Sequence, residues 1–126
     1  MIGAGALVGE YLKNFSLMGI SCNEEDKTNI ITETDNDAIE LSNLNRQFLF
    51  KNADNGKFKC VIACKEAKNI NKNINVQPLQ LLLNEESKET FNDTFWEKQD
   101  IIISAVDKNS FRKFIDSFCT FYNTKN

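Results

Sequence analysis

Apolar residues recur along this chain at two spacings, one typical of helices and the other of strands. Spacing of three or four positions, which predicts helices, is found at residues 5–18, 57–71, 87–99 and 109–122. Short runs rich in β-branched or other apolar residues, which predict strands, are found at 29–34, 74–83 and 100–106. The run 100–106 is almost uninterrupted, so we expect a strand covered on both faces. Helices between strands predict right-handed crossovers and a parallel sheet.

The predicted fold class is α/β, a Rossmann-like, doubly wound and mainly parallel sheet. In such a sheet a glycine loop follows the first, central strand, but only Met1 and Ile2 precede Gly3 here. The first strand is therefore expected to be a stub, and the chain stops about where another strand would begin. We interpret residues 1–126 as one partial nucleotide-binding domain, truncated at the first strand and on the C-terminal side.

Composition narrows the function classes without selecting one. The 126 residues are 41% hydrophobic and 26% charged, with a net charge of −3 and no basic face that would favour nucleic acid. No apolar stretch approaches the roughly 20 residues of a membrane helix. Four cysteines could pair in a secreted protein, but their spacing favours free thiols in a reducing compartment. With no histidine in the chain, Cys60 and Cys64 are interpreted as small core residues and not as zinc ligands.

The turn Gly3-Ala4-Gly5 opens the first predicted helix. Such a turn brings backbone N–H groups and the positive helix end toward a phosphate or ribose, although it also serves as a plain strand–helix connection. A dinucleotide fingerprint would place a third glycine at Val8 and an acid about 20 residues on, and Asp35 lies too far along the chain for that.

Polar residues follow two predicted strands, at the sheet edge where open α/β folds bind ligands. Asp35 and Asp37 follow the first strand, and Asp107 follows the run 100–106. Next comes the block 42–50, Ser-Asn-Leu-Asn-Arg-Gln-Phe-Leu-Phe, in which Leu44, Phe48 and Phe50 are expected to anchor the segment in the core. Lys59 lies near a helix start, where a lysine is unfavourable unless an anion is close.

With these flanks, the block 42–50 resembles the active adenylation domain of ubiquitin-activating enzymes, and the match extends from Ile2 to about Tyr122. The resemblance implies ATP and Mg²⁺ as ligands. It implies that Gly3, Gly5 and Ala6 lie beside the nucleotide, that Asp35 holds the ribose, and that the backbone of Leu83 meets adenine. It implies ATP contacts for Asn43 and Arg46, phosphate contacts for Lys59, and magnesium binding by Asp37 and Asp107. Gln47 could supply a neutral donor or acceptor at the same nucleotide site. Arg46, Lys59 and Asp107 are the implied catalytic residues.

The implied function is ATP-dependent adenylation of the C-terminal carboxylate of ubiquitin or a ubiquitin-like modifier. The implied partners are the modifier, the remaining domains of the activating enzyme and a downstream conjugating enzyme, with no nucleic acid or membrane. The implied location is cytoplasmic and nuclear. The catalytic-cysteine and ubiquitin-fold domains are absent from these residues, so Cys119 is not the thioester nucleophile and the isolated fragment is expected to be poorly active.

Two alternatives from other classes stay open. The chain could be an inactive or structural adenylation-domain fragment that binds nucleotide weakly. It could instead be an NAD-dependent oxidoreductase domain, which a glycine loop in an α/β chain also favours. Within the resemblance, activators of other modifiers and bacterial sulfur-carrier adenylyltransferases also stay open.

Overall fold

The computed structural model describes residues 1–25 and 28–125. Within them, the helices and strands are α1 (Ala6–Met18), β1 (Ile31–Thr34), α2 (Lys59–Ile70), β2 (Val76–Leu79), α3 (Asp93–Glu97) and α4 (Asn109–Phe121). Short 3₁₀ turns lie at Leu41–Asn43, Asn52–Asp54 and Glu85–Ser87. No helix of the described residues has the length and apolar character needed to cross a membrane.

The sheet is parallel, and β1 has partners on both of its edges. Strand β2 pairs with one edge of β1, with Ile31 opposite Val76 and Thr34 opposite Leu79, and α2 forms the crossover between them. On the other edge, Ile2 makes one parallel bridge to Thr34 and a second to Ser104. The spatial order β2, β1, Ile2, Ser104 is the order around the central strand of a doubly wound sheet. The predicted α/β fold is confirmed, and Ile2 occupies the central position.

Two apolar clusters pack on the two faces of this sheet. Successive residues of an extended segment point to opposite faces, and accordingly Met1 packs against the first cluster while Ile2 belongs to the second. The first cluster joins α1 and α2 through Val8, Leu12, Ala63 and Ala67 to the sheet. The second joins α3 and α4 to the sheet through residues that include Phe91, Trp96, Ile115 and Cys119.

Helix α1 begins and ends close to its predicted bounds. Gly19 adopts the left-handed conformation (φ 75°), and its N–H reaches the carbonyls of Phe15 and Ser16, which is how a glycine terminates a helix. The predicted apolar stripe is only partly buried, because Val8 and Leu12 are fully covered while Met18 is 71% exposed. The buried apolar residues of α1 therefore lie in its first two turns, behind the glycine loop, and the buried residue of its later turns is Ser16.

The prediction of a covered strand at 100–106 is wrong. Among the described residues, the segment makes isolated parallel bridges only, from Ser104 to Ile2 and from Ile101 to Lys125. Ile102 is buried, but Ile101 is 60% exposed. A ladder needs continuous partners on its edge, and here Ile2 offers Ser104 a single bridging position. The segment is therefore extended and partly buried without forming a regular strand.

The predicted helix at 87–99 is also wrong in extent, since only Asp93–Glu97 is helical. The side chain of Asn92 accepts the N–H of Phe95 at 3.0 Å and starts a new helix there. The side chain of Asn84 caps the preceding 3₁₀ turn in the same way. Asparagine side chains compete with the backbone for hydrogen bonds, so they divide this stretch into two short turns. The strand predicted at 74–83 is likewise shorter, at Val76–Leu79.

Candidate functional site

The glycine loop lies against the sheet edge formed by the ends of β1 and the 104–106 segment. The N–H of Gly3 donates to the carbonyl of Thr34 at 2.9 Å. Gly3 has φ 93°, and a Cβ placed there would lie 3.4 Å from Cγ1 of Val106. The φ favours glycine at this position, because other residues rarely adopt it, and the 3.4 Å distance is an ordinary contact. The loop is therefore held close to the backbone on both sides.

Helix α1 begins at Ala6 without a side-chain cap. Gly5 is its N-cap residue and has no side chain that could accept a hydrogen bond from the first turn. The first N–H groups of a helix have no partner within it and attract anions. Gly5 and Ala4 also line a narrow cleft with Gln47, Phe50 and Ala63. The predicted nucleotide residues Gly5 and Gln47 are thus brought together beside the helix end.

Asp35 connects the end of β1 to the glycine loop. Its Oδ2 accepts the N–H of Ala4 at 2.6 Å, and its Oδ1 accepts the N–H of Asp37 at 2.6 Å. The thiol of Cys60 donates to the backbone carbonyl of Asp35 at 3.2 Å. Each carboxylate oxygen keeps a second lone pair. Asp35 is therefore fixed by the loop and can still accept hydrogen bonds from a ligand.

Lys59 pairs with Asp37 at the start of α2. The ammonium Nζ lies 3.0 Å from Oδ2 of Asp37, and the backbone N–H of Lys59 donates to the carbonyl of Asp37 at 2.9 Å. An antiparallel bridge between Ala38 and Phe58 holds the two segments together. The anion that a lysine at a helix start requires is, in this structure, the side chain of Asp37.

The block 42–50 folds as a compact loop whose polar side chains have different surroundings. Asn43 is buried, and its Oδ1 accepts the N–H of Glu40 at 3.0 Å, so its side chain supports the turn. Gln47 is buried, and its Oε1 has no hydrogen-bond partner among the described residues. Such an acceptor costs free energy unless a ligand or water satisfies it. Gln47 is therefore the member of this block that most directly suggests a binding role.

Arg46 is exposed and folds back on its own loop. Its Nη1 donates to the carbonyl of Ser42 at 3.0 Å and to Oδ1 of Asn45 at 3.3 Å. These bonds do not link Arg46 to Asp35 or to Lys59. Its predicted contact with phosphate stays a prediction and requires the side chain to turn toward the ligand.

The predicted anchors of this block are partly corrected. Phe50 is buried and Leu44 packs against the first cluster, but Phe48 is 48% exposed and lies under the ammonium of Lys13. Leu49, which the sequence did not single out, is buried instead and lies where a Cβ on Gly9 would touch it at 3.4 Å. Helix α1 therefore packs against this loop at Gly9.

Asp107 and Leu83 lie on other segments than Asp35, the first after residues 100–106 and the second four residues after β2. Asp107 is exposed at the end of the 101–106 segment, one residue after Val106, whose side chain faces Gly3. The Nε of Arg112 donates to the carbonyl of Val106 at 2.7 Å and fixes the start of α4 against this segment. Leu83 is buried in the second cluster with Ile2 and Phe91. Their proposed contacts with magnesium and adenine stay predictions.

Sequence reasoning missed the buried Glu33. This carboxyl group is fully buried on β1, two residues before Asp35, and neither oxygen has a hydrogen-bond partner among the described residues. Burial raises the pKa of Glu33 well above its usual range, although the ammonium of Met1 opposes that shift. The only signal was an acid within a run of strand-forming residues.

Cys60 and Cys64 face the same buried region as Glu33. Burial, followed by the charge of Glu33, raises the pKa of Cys60 to about 11 and that of Cys64 to about 12. All four cysteines are free thiols, and Cys60, Cys64 and Cys119 are buried, which confirms the interpretation of these three as core residues. Within residues 1–25 and 28–125, no three side chains of the metal-binding types group closely enough to hold an ion.

Sequence similarity to known proteins covers the whole chain. Residues 1–126 match the ThiF family. The chain is 41% identical over 122 residues to ubiquitin-activating enzyme E1 2 of Arabidopsis thaliana, covering 97% of this chain and 11% of that protein. It is 40% identical over 119 residues to human ubiquitin-like modifier-activating enzyme 6, covering 94% of this chain and 11% of that protein. The chain thus spans about a tenth of the length of these relatives.

A solved structure agrees with the fold. The crystal structure of E. coli MccB with ATP superposes with a TM-score of 0.77 at 26% identity, covering 98% of this chain and 33% of MccB. MccB has also been solved with MccA-N7isoASN. The parallel sheet with its glycine loop, the family match over every residue and the identity of about 40% to activating enzymes agree with one another. This chain belongs to the ThiF family.

Proposed function

We propose that this chain forms the nucleotide-binding core of an enzyme that adenylates the C-terminal carboxylate of ubiquitin or a ubiquitin-like modifier. The observation that carries the proposal is the bond from the N–H of Ala4 to Oδ2 of Asp35 at 2.6 Å. It ties the glycine loop to the acid at the end of β1, so phosphate-binding and ribose-binding groups share one edge of the sheet. The names of the relatives, and the ATP in the MccB structure, support the choice of ATP.

In this proposal the nucleotide lies across the glycine loop. Gly3, Gly5 and Ala6 present backbone to it, and Asp35 accepts hydrogen bonds from the ribose hydroxyls. Gln47 and Asn43 supply polar contacts at the cleft, and the backbone of Leu83 meets the adenine. Gln47 fits this role because its buried acceptor is otherwise unsatisfied.

The proposed reaction joins the modifier to AMP. An oxygen of the modifier's terminal carboxylate attacks the α-phosphorus of ATP, the bond to the β-phosphate oxygen breaks, and acyl adenylate and pyrophosphate result. The carboxylate is already ionised at neutral pH, so no general base is required. Arg46 and Lys59 stabilise the charge on the phosphates. The residues act mainly by positioning and by neutralising charge.

The residues proposed to hold Mg²⁺ suit that ion. Asp37 is largely exposed and Asp107 is exposed, so both carboxylates can reach a hydrated cation. One or two carboxylates with phosphate oxygens are the ligands that magnesium usually takes. When bound, the ion would neutralise phosphate charge beside the departing pyrophosphate.

A second candidate is nucleotide binding without turnover. Arg46 is bonded to Ser42 and Asn45, so its side chain does not reach the nucleotide in this arrangement. The chain also spans about a tenth of the length of its relatives.

For the adenylating enzyme, the proposed partners are its remaining domains, the modifier and a conjugating enzyme, and the proposed location is cytoplasmic and nuclear. The NAD-dependent alternative loses support because the chain belongs to the ThiF family.

ATP–pyrophosphate exchange driven by ubiquitin tests the proposal, in the longest natural protein that contains these residues. Arg46→Ala should lower exchange on the order of 10²-fold, the usual effect of losing one charge-stabilising contact. Cys119→Ala is the control, because Cys119 is a buried core residue of α4. Exchange that survives Arg46→Ala at the wild-type rate, or that disappears with Cys119→Ala in a folded protein, would overturn these roles.

A further inference from the structure

We infer that Asp37 and Lys59 form an exchange pair that makes nucleotide binding depend on a divalent cation. Asp37 holds the ammonium of Lys59 while the site is empty. A cation bound by Asp37 releases Lys59 to the nucleotide phosphates. The inference rests on the proposed function and concerns what these two side chains do before the nucleotide arrives.

The two partners differ sharply in exposure. The side chain of Lys59 is 11% exposed, whereas that of Asp37 is 63% exposed, although their charged atoms lie 3.0 Å apart. A cation from solvent can therefore reach the carboxylate without displacing the lysine from its position in the fold. The backbone bond from Lys59 N–H to Asp37 O, at 2.9 Å, keeps the residues adjacent when the side chains separate.

In the ion pair, Asp37 neutralises the positive charge with which Lys59 would attract a phosphate. A nucleotide without metal meets a lysine whose charge is balanced by Asp37 and meets the negative charge of Asp37 as well. A divalent cation on Asp37 reverses both effects, since it repels the ammonium and attracts phosphate oxygens. Metal and nucleotide therefore favour each other's binding, and by linkage this coupling is reciprocal.

A neighbouring ion pair provides the matched control. Lys57 lies 2.9 Å from Asp54, but here the carboxylate is 10% exposed and the lysine 50% exposed. Asp54 also accepts the N–H of Lys51 at 3.0 Å, so it caps a turn. Asp54→Asn removes the same charge from the same neighbourhood without touching Lys59.

The experiment is calorimetric titration of ATP into the chain, once with a chelator and once with Mg²⁺. The variants are Asp37→Asn, Asp54→Asn, Lys59→Gln and the double variant Asp37→Asn with Lys59→Gln, each checked for a cooperative thermal transition. Asp37→Asn should raise metal-free ATP affinity about fivefold, the upper end for an exposed ion pair, and reduce the gain from Mg²⁺. Asp54→Asn should not raise metal-free ATP affinity. In the Lys59→Gln background, adding Asp37→Asn should no longer raise that affinity.

Each failure has its own signature. If Mg·ATP binds the wild type but Asp37→Asn leaves metal-free affinity unchanged or lower, the exchange pair is refuted and the proposed function stands. If Asp37→Asn still raises metal-free ATP affinity in the Lys59→Gln background, the effect is general charge removal and the exchange pair is again refuted. If neither the wild type nor any folded variant binds ATP with Mg²⁺, the proposed function itself fails.

Discussion

Asp35 uses both oxygens of its carboxylate to hold backbone N–H groups, that of Ala4 in the glycine loop and that of Asp37 in the next turn, each at 2.6 Å. One side chain thereby fixes the positions of two segments that the chain separates by about 30 residues. Hydrogen bonds to a carboxylate are stronger than those between neutral groups. The position of the glycine loop relative to β1 depends on this residue.

Asp35→Asn should therefore weaken both stability and nucleotide binding. An amide offers a single acceptor oxygen, so either Ala4 or Asp37 loses its partner, at a cost of about 1–3 kcal/mol. Urea unfolding measures the stability, and titration with Mg·ATP should show at least a tenfold loss of affinity. Asp100→Asn, at an exposed acid, is the control. Unchanged stability and affinity in Asp35→Asn would show that the bonds to Asp35 do not hold the loop.

Glu33 should make the chain less stable as the pH rises from about 4.5, the ordinary pKa of this group. The folded state raises the pKa of Glu33 by burial, so it keeps a proton that the unfolded chain releases. The stabilisation contributed by protonated Glu33 is fully present below its ordinary pKa. It is lost as the pH rises through the pKa that Glu33 has in the folded state. The Met1 ammonium, Asp35, Cys60 and Cys64 also interact electrostatically with this group.

Glu33→Gln should flatten this pH dependence and raise the free energy of unfolding at pH 7 by about 1 kcal/mol or more. Urea titrations at several pH values between 4.5 and 8 measure both effects. The exposed Glu89 supplies the control Glu89→Gln, which should keep the wild-type slope. Identical slopes for the wild type and Glu33→Gln would mean that the carboxyl group is not buried and neutral.

The buried thiols should be unreactive in the folded chain. With the pKa of Cys60 raised to about 11 and that of Cys64 to about 12, almost no thiolate exists at pH 8, and the thiolate is the nucleophile. Iodoacetamide should label Cys22, which is only half-buried, before Cys60, Cys64 and Cys119. Mass spectrometry of peptides, with urea-unfolded chain as the control, measures the order. Labelling of Cys60 or Cys64 as fast as Cys22 without urea would contradict the burial seen here.

Sequence periodicity located the helices that pack on the sheet, because burial of one face imposes the 3.6-residue repeat. It found α1, α2 and α4 within two residues of their bounds. It failed at 87–99, where Asn84 and Asn92 cap short turns, since local side-chain bonds leave no periodic signal. It failed at 100–106 because strand formation depends on partners supplied by distant parts of the chain.

The sequence predicted part of the candidate site, because the ends of strands can be recognised from the residue pattern. The end of a strand identifies a sheet edge, so Asp35 was expected at the ligand-binding edge, and a bond joins Ala4 of the glycine loop to Asp35. Side-chain pairing across the edge could not be read from the sequence. The Asp37–Lys59 ion pair, the return of Arg46 to Ser42 and the unpartnered oxygen of Gln47 all depend on loop geometry.

A comparison of the affinities for two nucleotides tests the central claim most directly. Calorimetric titration of the chain with Mg·ATP and separately with NAD compares a site built for triphosphate and ribose with a dinucleotide site. The account predicts that Mg·ATP binds at least tenfold more tightly than NAD and that Asp35→Asn weakens Mg·ATP binding. NAD binding tighter than Mg·ATP, or no binding of Mg·ATP to the folded chain, would contradict it.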